Sequence, residues 1–420
     1  MPTPDSITKR AMKPVWFILV QVALLATVFA GVGWALSQDR RQSAPRLPSL
    51  RNTAELVSPQ YDMPELITDD QLRTVLVRLR PRLRHQQPKI NHVDHALRCW
   101  GADAKFADPE CLSGEEMRKM LTDMSVFHEY WGDASRDLIT PGEMGWGVRT
   151  QQGAATSSHV DHTLATLAEI GTPLDYAIQS GETSLTLREL LVGALQDFRL
   201  NQQEYEWTTI AAATFAADNS AWVSREGERI TFDQMAQRLM RQQAVQGVCY
   251  GNHRLFTLAA LLRLDEQVGI FQDNVTRDEI VAHLTDATRR LIESQNDAGY
   301  WDQNWYNAER DPIDDGLADP LSRRLLATGH ALEWWAISPA AVQPPRETKI
   351  RAGQWLATEV EKMSDDVIRD NYTFLSHVGR ALALWRGALP AQQWSRLECD
   401  QALKLATTTS GESNASPSSE

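Results

Sequence analysis

The chain has 420 residues, 42 of them Lys or Arg and 55 Asp or Glu, for a net charge of -13. Residues 1–51 hold seven basic and two acidic residues, so the remainder carries -18. An acidic body without a basic patch excludes nucleic acid as a partner and excludes electrostatic docking on an anionic lipid surface.

In chain order, the first feature is a short tail, residues 1–13, with Lys9, Arg10 and Lys13. No charge then falls between Val15 and Leu36. That length crosses a hydrocarbon core as a helix and exceeds the apolar run of a cleavable signal peptide. Residues 14–36 are therefore expected to be a single-pass transmembrane signal anchor, with cleavage near Ala35–Ser37 as the minor alternative. No Cys ends the run, which excludes a bacterial lipoprotein. Basic residues flank it on both sides (Arg40, Arg41, Arg46 and Arg51 follow), so the positive-inside rule does not orient it. The short tail and long body favour a cytoplasmic N-terminus and a large extracytoplasmic, periplasmic domain. Residues 37–60 read as a polar stalk and residues 406–420 as a disordered tail.

Residues 61–405 are dominated by helix-period patterns, with almost no strand alternation. Two kinds of helix alternate. One begins with His or small residues and continues apolar: "NHVDHALRCW", "SHVDHTLATLAEI", "EWTTIAAATFAA", "GNHRLFTLAALLRL", "LATGHALEWWAI" and "SHVGRALALW". The other is charged on one face, as in "LTLRELLVGALQDFRL" and "TFDQMAQRLMRQQ". The first kind returns about every 45 residues, the mark of a helical repeat. Apolar helices belong inside and amphipathic ones outside. The expected fold is all-α: an α/α toroid of about six helical hairpins, preceded by the transmembrane helix, with an open solenoid as the alternative.

Four cysteines are present: Cys99, Cys111, Cys249 and Cys399. Cys99 and Cys111 flank a loop that a disulfide would close in an exported domain, contributing about 3 kcal/mol. Four buried thiols are the alternative.

The stretch "ESQNDAGYWDQNW" places Gln295, Gly299 and Trp301 at a helix end. It resembles the Gln-x-x-x-Gly-x-Trp repeat of the squalene cyclase and prenyltransferase superfamily, whose members are α/α toroids. In that superfamily the Gln caps the helix end and ties one hairpin to the next. "LMRQQAVQGVCYGNH", with Gln242 or Gln243 and Gly247, resembles the same unit without the Trp. The resemblance implies a fold and not a reaction: the Asp-x-Asp-Asp of the protonating cyclases is absent, and "DPIDDGLADP" (Asp311, Asp314, Asp315, Asp319) has a different spacing. "GHALEWW" (Gly329, His330, Glu333) resembles the Gly-His-x-x-Glu of N-acylglucosamine 2-epimerase relatives, which implies acid/base work by His330 on a sugar.

Five of the six proposed inner helices carry His: His92 and His95, His159 and His162, His253, His330 and His377. A closed ring would bring them to one cavity mouth, where neutral imidazole serves as acid, base or ligand. The bland reading is that they bond backbone at the turn entering each inner helix. Asp94 and Asp161 are then expected to hold free N–H groups at helix starts. Zn²⁺ needs three or four converging ligands and the sequence shows pairs, so no metal ligand set and no cofactor is assigned. The catalytic candidates are His162, His253, His330 and Glu333, the last one turn beyond His330. His377 and the aromatics Trp301, Trp305 and Tyr306 of a long loop are ligand-binding candidates, the aromatics as exposed stacking platforms for sugars or apolar chains.

Two functional readings follow. One is a membrane-anchored exported toroid that binds a small molecule or glycan in its centre, with His-based acid/base chemistry on a glycan- or isoprenoid-like substrate. The other is a non-catalytic envelope scaffold. A deep pocket lined by His and carboxylates would favour the first, and a plugged apolar centre the second.

Overall fold

The computed structural model describes residues 14–41, 47–84, 87–242, 247–306 and 319–398. Residues 1–13, the Asp-rich run 307–318, Cys399 and the tail 406–420 lie outside the described residues. The chain divides into two units, residues 1–45 and 46–420. The described residues of the first form one helix, α1 (Pro14–Arg41), longer by five residues than the expected anchor. Its segment Trp16–Trp34 has a mean hydropathy of 2.1 and is exposed throughout, apolar enough to cross a membrane or to serve as a signal sequence.

The second unit is mostly helical. In chain order its helices are α2 (Asp69–Arg78), α3 (Ile90–Trp100), α4 (Gly114–Thr122), α5 (Met124–Trp131), α6 (His162–Glu169), α7 (Leu187–Asp197) and α8 (Glu206–Phe215). Then follow α9 (Phe232–Arg241), α10 (Asn252–Val268), α11 (Asn274–Ser294), α12 (Pro320–Ile337), α13 (Arg346–Lys362), α14 (Asp365–Asp370) and α15 (Tyr372–Leu384). Three short antiparallel hairpins decorate the connections: β1–β2 (Ile139–Gly142, Gly145–Val148), β3–β4 (Ala177–Ser180, Thr183–Thr186) and β5–β6 (Trp222–Val223, Arg229–Ile230). Strands of two to four residues are too short to leave an alternating pattern in the sequence.

The two kinds of helix owe their existence to different causes. Helices α2, α4, α7 and α9 each open with a capping box, Thr68/Gln71, Ser113/Glu116, Thr186/Glu189 and Thr231/Gln234. Each box satisfies two orphan backbone donors locally. The six His-bearing or apolar helices α3, α6, α8, α10, α12 and α15 have no such box and are held by burial. Every residue of α8 is buried, and so are fourteen of the eighteen in α12. These six helices pack in chain order, each on the next, and α15 packs back on α3. Gly329 makes the tightest of these approaches possible: a Cβ there would stand 3.2 Å from Val378 Cγ2 and 3.3 Å from its backbone N.

The segment 47–60 is not the expected free stalk. Its backbone bonds the far ends of the inner helices: Arg51 N to Phe215 O (2.8 Å), Glu55 N to Thr214 O (2.9 Å) and Gln60 N to Ala336 O (3.2 Å). Leu47, Leu50 and Val57 pack on the core. Polar composition misled because most of the polar residues face outward, while these apolar ones, and Arg51 through its bonds to Ala216 O and Thr214 O, anchor the strap. Cys99 and Cys111 are buried free thiols, so neither closes the loop between them; of the four buried thiols given as the alternative, Cys249 is a half-buried free thiol and Cys399 lies outside the described residues. Burial pushes the Cys99 thiol up to about 12.

The Gln295 turn links neighbouring layers. The Gln295 amide donates to Gly299 O and to Thr348 O of α13, both at 2.9 Å. Gly299 (φ +102°) has no room for a side chain, since a Cβ would sit 2.6 Å from Arg351 O.

Candidate functional site: a ring of imidazoles

Each of the six inner helices sends one aromatic ring to a common centre. Going round, the ring centroids are separated by 4.7 Å (His95–His162), 4.4 Å (His162–Trp207), 4.3 Å (Trp207–His253), 4.5 Å (His253–His330), 3.7 Å (His330–His377) and 5.1 Å (His377–His95). His253 and His377 also approach across it, at 5.3 Å. The rings touch one another, so side chains fill the centre. All six are buried. The centre is therefore plugged, and plugged with polar groups, a combination that neither sequence reading anticipated.

The hydrogen bonding of this layer is incomplete. His95 Nδ1 and His330 Nδ1 each meet the carbonyl four residues back, Asn91 O and Leu326 O, both at 2.7 Å. Both bonds go to backbone, as the bland reading has it, but within α3 and α12 and not at an entry turn. His330 Nε2 faces His253 Nε2 at 3.0 Å. Nε2 of His162, Nδ1 of His253, Nε2 of His377 and the Trp207 indole N–H are buried without a hydrogen-bond partner, and His162 Nδ1 has only the Asp94 carboxylate, at 3.6 Å. Burial holds His95, His162, His253 and His330 well below the usual imidazole range, and lowers His377. The rings are consequently neutral at physiological pH.

One helical turn further along, the chemistry changes to full charges. Arg98 donates from Nε to Glu169 Oε2 and from Nη1 to Glu333 Oε1, both at 2.7 Å. Arg380 binds the same two carboxylates. Glu333 Oε2 accepts from His377 Nδ1 at 2.8 Å. Both guanidinium groups lie over the Phe256 ring, at 4.7 and 5.3 Å. Burial alone would raise the Glu333 carboxyl, but Arg98, His377 and Arg380 outweigh it and hold it well below the usual range. Two cations and two anions make this layer neutral and closed.

The repeated "HVDH" occupies two different places. His92–His95 lie inside α3, which begins at Ile90, whereas His159–Asp161 precede α6. Only the second copy is an entry turn, because Asp161 takes a left-handed conformation (φ +57°) that starts the helix one residue later. The carboxylates do not cap backbone either. Asp94 Oδ2 accepts from Thr163 Oγ1 (2.8 Å) and Asp161 Oδ2 from Thr208 Oγ1 (2.5 Å), in both cases a hydroxyl of the next inner helix. The motif therefore repeats a helix-to-helix link. Burial raises Asp94 to about 8 and Asp161 to about 6.

Of the expected site residues, His162, His253, His330, Glu333 and His377 come together here. Trp301, Trp305 and Tyr306 do not. Trp301 and Trp305 are buried, their indole N–H groups donating to Leu291 O (2.7 Å) and Tyr250 O (3.1 Å), so they are packing residues and not exposed platforms. Half-buried Tyr306 lies under Arg290. Arg98, Trp207, Glu169 and Arg380 were not picked out as members of this centre. A signal existed for two of them: Arg98 and Arg380 stand three residues after His95 and His377, as Glu333 does after His330.

Two trios among the described residues bring one metal-ligating atom each to within 4.8 Å of one another: Cys249, His253 and His330, and His330, Glu333 and His377. A surface cavity of 290 Å³ has Trp146, Asp161, Phe198 and Gln202 in its wall; no residue of the imidazole ring lines it, and Asp161, next to His162 in the chain, is its link to the ring. No family model, curated protein or solved structure matches the chain.

Proposed function

We propose that the chain is a membrane-anchored, exported α/α toroid, of the architecture found in the squalene cyclase and prenyltransferase superfamily, and that its imidazole ring is an acid/base centre for a glycan-like ligand. The cyclic packing of the six inner helices and the Gln295–Gly299–Trp301 turn support the architecture. The single observation carrying the function is the set of buried, unpartnered ring nitrogens. Leaving a polar atom buried without a partner costs about 1–3 kcal/mol. Stability alone would have filled these positions with Leu or Phe, so a ligand or a proton is the natural beneficiary of those nitrogens. Neutral imidazoles exchange protons without first being deprotonated. The 290 Å³ cavity favours a glycan-like ligand over an isoprenoid chain, because indole, carboxylate and amide groups line it side by side.

The scaffold reading keeps one specific support, the side-chain-filled centre. Calorimetric titration of the full chain in detergent, with cell-wall oligosaccharide fragments and with prenyl phosphates, separates them. Oligosaccharide binding that weakens about tenfold or more in His162→Leu and His330→Leu at unchanged Tm is the expected result. Binding of neither class would leave the scaffold.

A further inference from the structure

The turn before α10 is unusual. Cys249 and Tyr250 are successive non-glycine residues in the left-handed region (φ +52° and +59°). Such a residue is strained and persists only where its surroundings over-determine it. The buried Trp305 indole does so, donating to Tyr250 O, and Asn252 Nδ2 donates to Cys249 O at 3.1 Å. This pinned turn delivers the half-buried Cys249 thiol to the edge of the imidazole ring, beside His253 and His330.

The two imidazoles are set for more than a mutual hydrogen bond. Leu326 O holds the Nδ1–H of His330, which directs the Nε2 lone pair inward, toward His253 Nε2 at 3.0 Å. A backbone carbonyl on the distal nitrogen is the usual support of a metal-ligating His. Two bonds of about 2.0–2.1 Å to a tetrahedral Zn²⁺ place their nitrogens about 3.3 Å apart, within a small shift of that separation. His253 Nδ1 is buried without a partner, so this ring gains nothing else from its position. The neighbouring trio is the poorer candidate, because the Glu333 oxygens already serve Arg98, Arg380 and His377.

We infer that Cys249, His253 and His330 bind a divalent transition ion of the zinc class, one thiolate and two imidazoles from α10, the turn before it and α12. A sulfur–nitrogen donor set selects zinc-like ions over Mg²⁺ and Ca²⁺. Binding converts the Cys249 thiol to thiolate and releases its proton to solvent. Three protein ligands leave a fourth position for water or a ligand atom. The inference rests on reading the imidazole ring as the working centre, yet it is read out without activity.

Cobalt substitution tests it. The full chain, purified in detergent and stripped by a chelator, is loaded with Co²⁺. The expected result is one bound equivalent with a thiolate-to-cobalt charge-transfer band, lost in Cys249→Ser and kept in Cys111→Ser. No band in the folded wild type, or a band that survives Cys249→Ser, overturns the inference. Should Cys249→Ser not fold, peptide-resolved alkylation of Cys249 in the wild type decides: protection by Zn²⁺ supports the site, and equal rates overturn it. Zinc binding that persists while His162→Leu leaves oligosaccharide affinity intact would remove the acid/base reading alone. Oligosaccharide binding without any metal would remove the metal alone.

Discussion

Two layers lie one helical turn apart at the centre of this protein, and they obey opposite rules. In the charged layer the carboxylates and guanidinium groups meet: Arg98 and Arg380 face Glu169 and Glu333, His377 takes the remaining Glu333 oxygen, and Arg380 Nε alone is left without a partner. In the imidazole layer partners are missing at His162, Trp207, His253 and His377. The imidazole layer draws on all six inner helices and is buried throughout, whereas the charged groups come from α3, α6, α12 and α15, with Glu169 at the edge of burial. A paired charge layer fixes the relative rotation of α3, α6, α12 and α15. The imidazole layer above it, with its unpartnered nitrogens, is the one available for chemistry.

The comparison breaks first at Glu333. Glu333→Ala strands two buried guanidinium groups, and the expected loss is about 3–5 kcal/mol, measured by denaturant unfolding. A loss below about 1 kcal/mol would mean that water reaches the layer and that it is not closed.

The pH dependence comes next and carries two signs. The depressed imidazoles of His95, His162, His253, His330 and His377 contribute stability that is present above their unfolded value, about pH 6.5, and is lost as pH falls. Glu333, also depressed, adds to that loss at lower pH. Asp94 and Asp161, raised to about 8 and about 6, contribute stability that is fully present in acid and lost as pH rises through those values. His128 has the same sign, because Asp137 and the Gly132 carbonyl outweigh its burial. Five central imidazoles outnumber these groups, so Tm should fall as pH drops from about 7 to 5. Asp94→Asn removes one opposing group and should raise Tm above about pH 8 relative to the wild type. A Tm independent of pH across this range would refute the neutral, buried state of the ring.

The smallest effect is expected where the ring is replaced. In the metal-stripped chain, His253→Leu exchanges an imidazole bonded only to His330 Nε2, its Nδ1 unpartnered, for an apolar group of similar size. Stability should change by less than about 1 kcal/mol, in contrast to Glu333→Ala. A loss as large as that of Glu333→Ala would make both layers structural.

Much of the architecture was legible because it is written locally. The six apolar segments and four of their charged neighbours stand out by period, since a helix buried all round and a helix buried on one face need different compositions. Helices α2 and α4, at ten and nine residues, are within one residue of α9 in length and escaped the periodic reading; their local signal was the capping box, Thr68 with Gln71 and Ser113 with Glu116. The strap 47–60 escaped notice because its bonds run to carbonyls more than 160 residues away.

By itself, then, the sequence determined that one apolar helix precedes a body of alternating inner and outer helices, and that histidines recur on the inner ones. Period, capping and burial all act within a few residues, so they survive in one dimension. Only the tertiary structure decided that those histidines share a centre, that Trp207 completes their ring, and that Arg98 and Arg380 neutralise Glu169 and Glu333. It alone buried Trp301 and Trp305 and placed Cys249 beside His330. Those outcomes depend on helix rotation and on which helix closes against which, and long-range packing sets both.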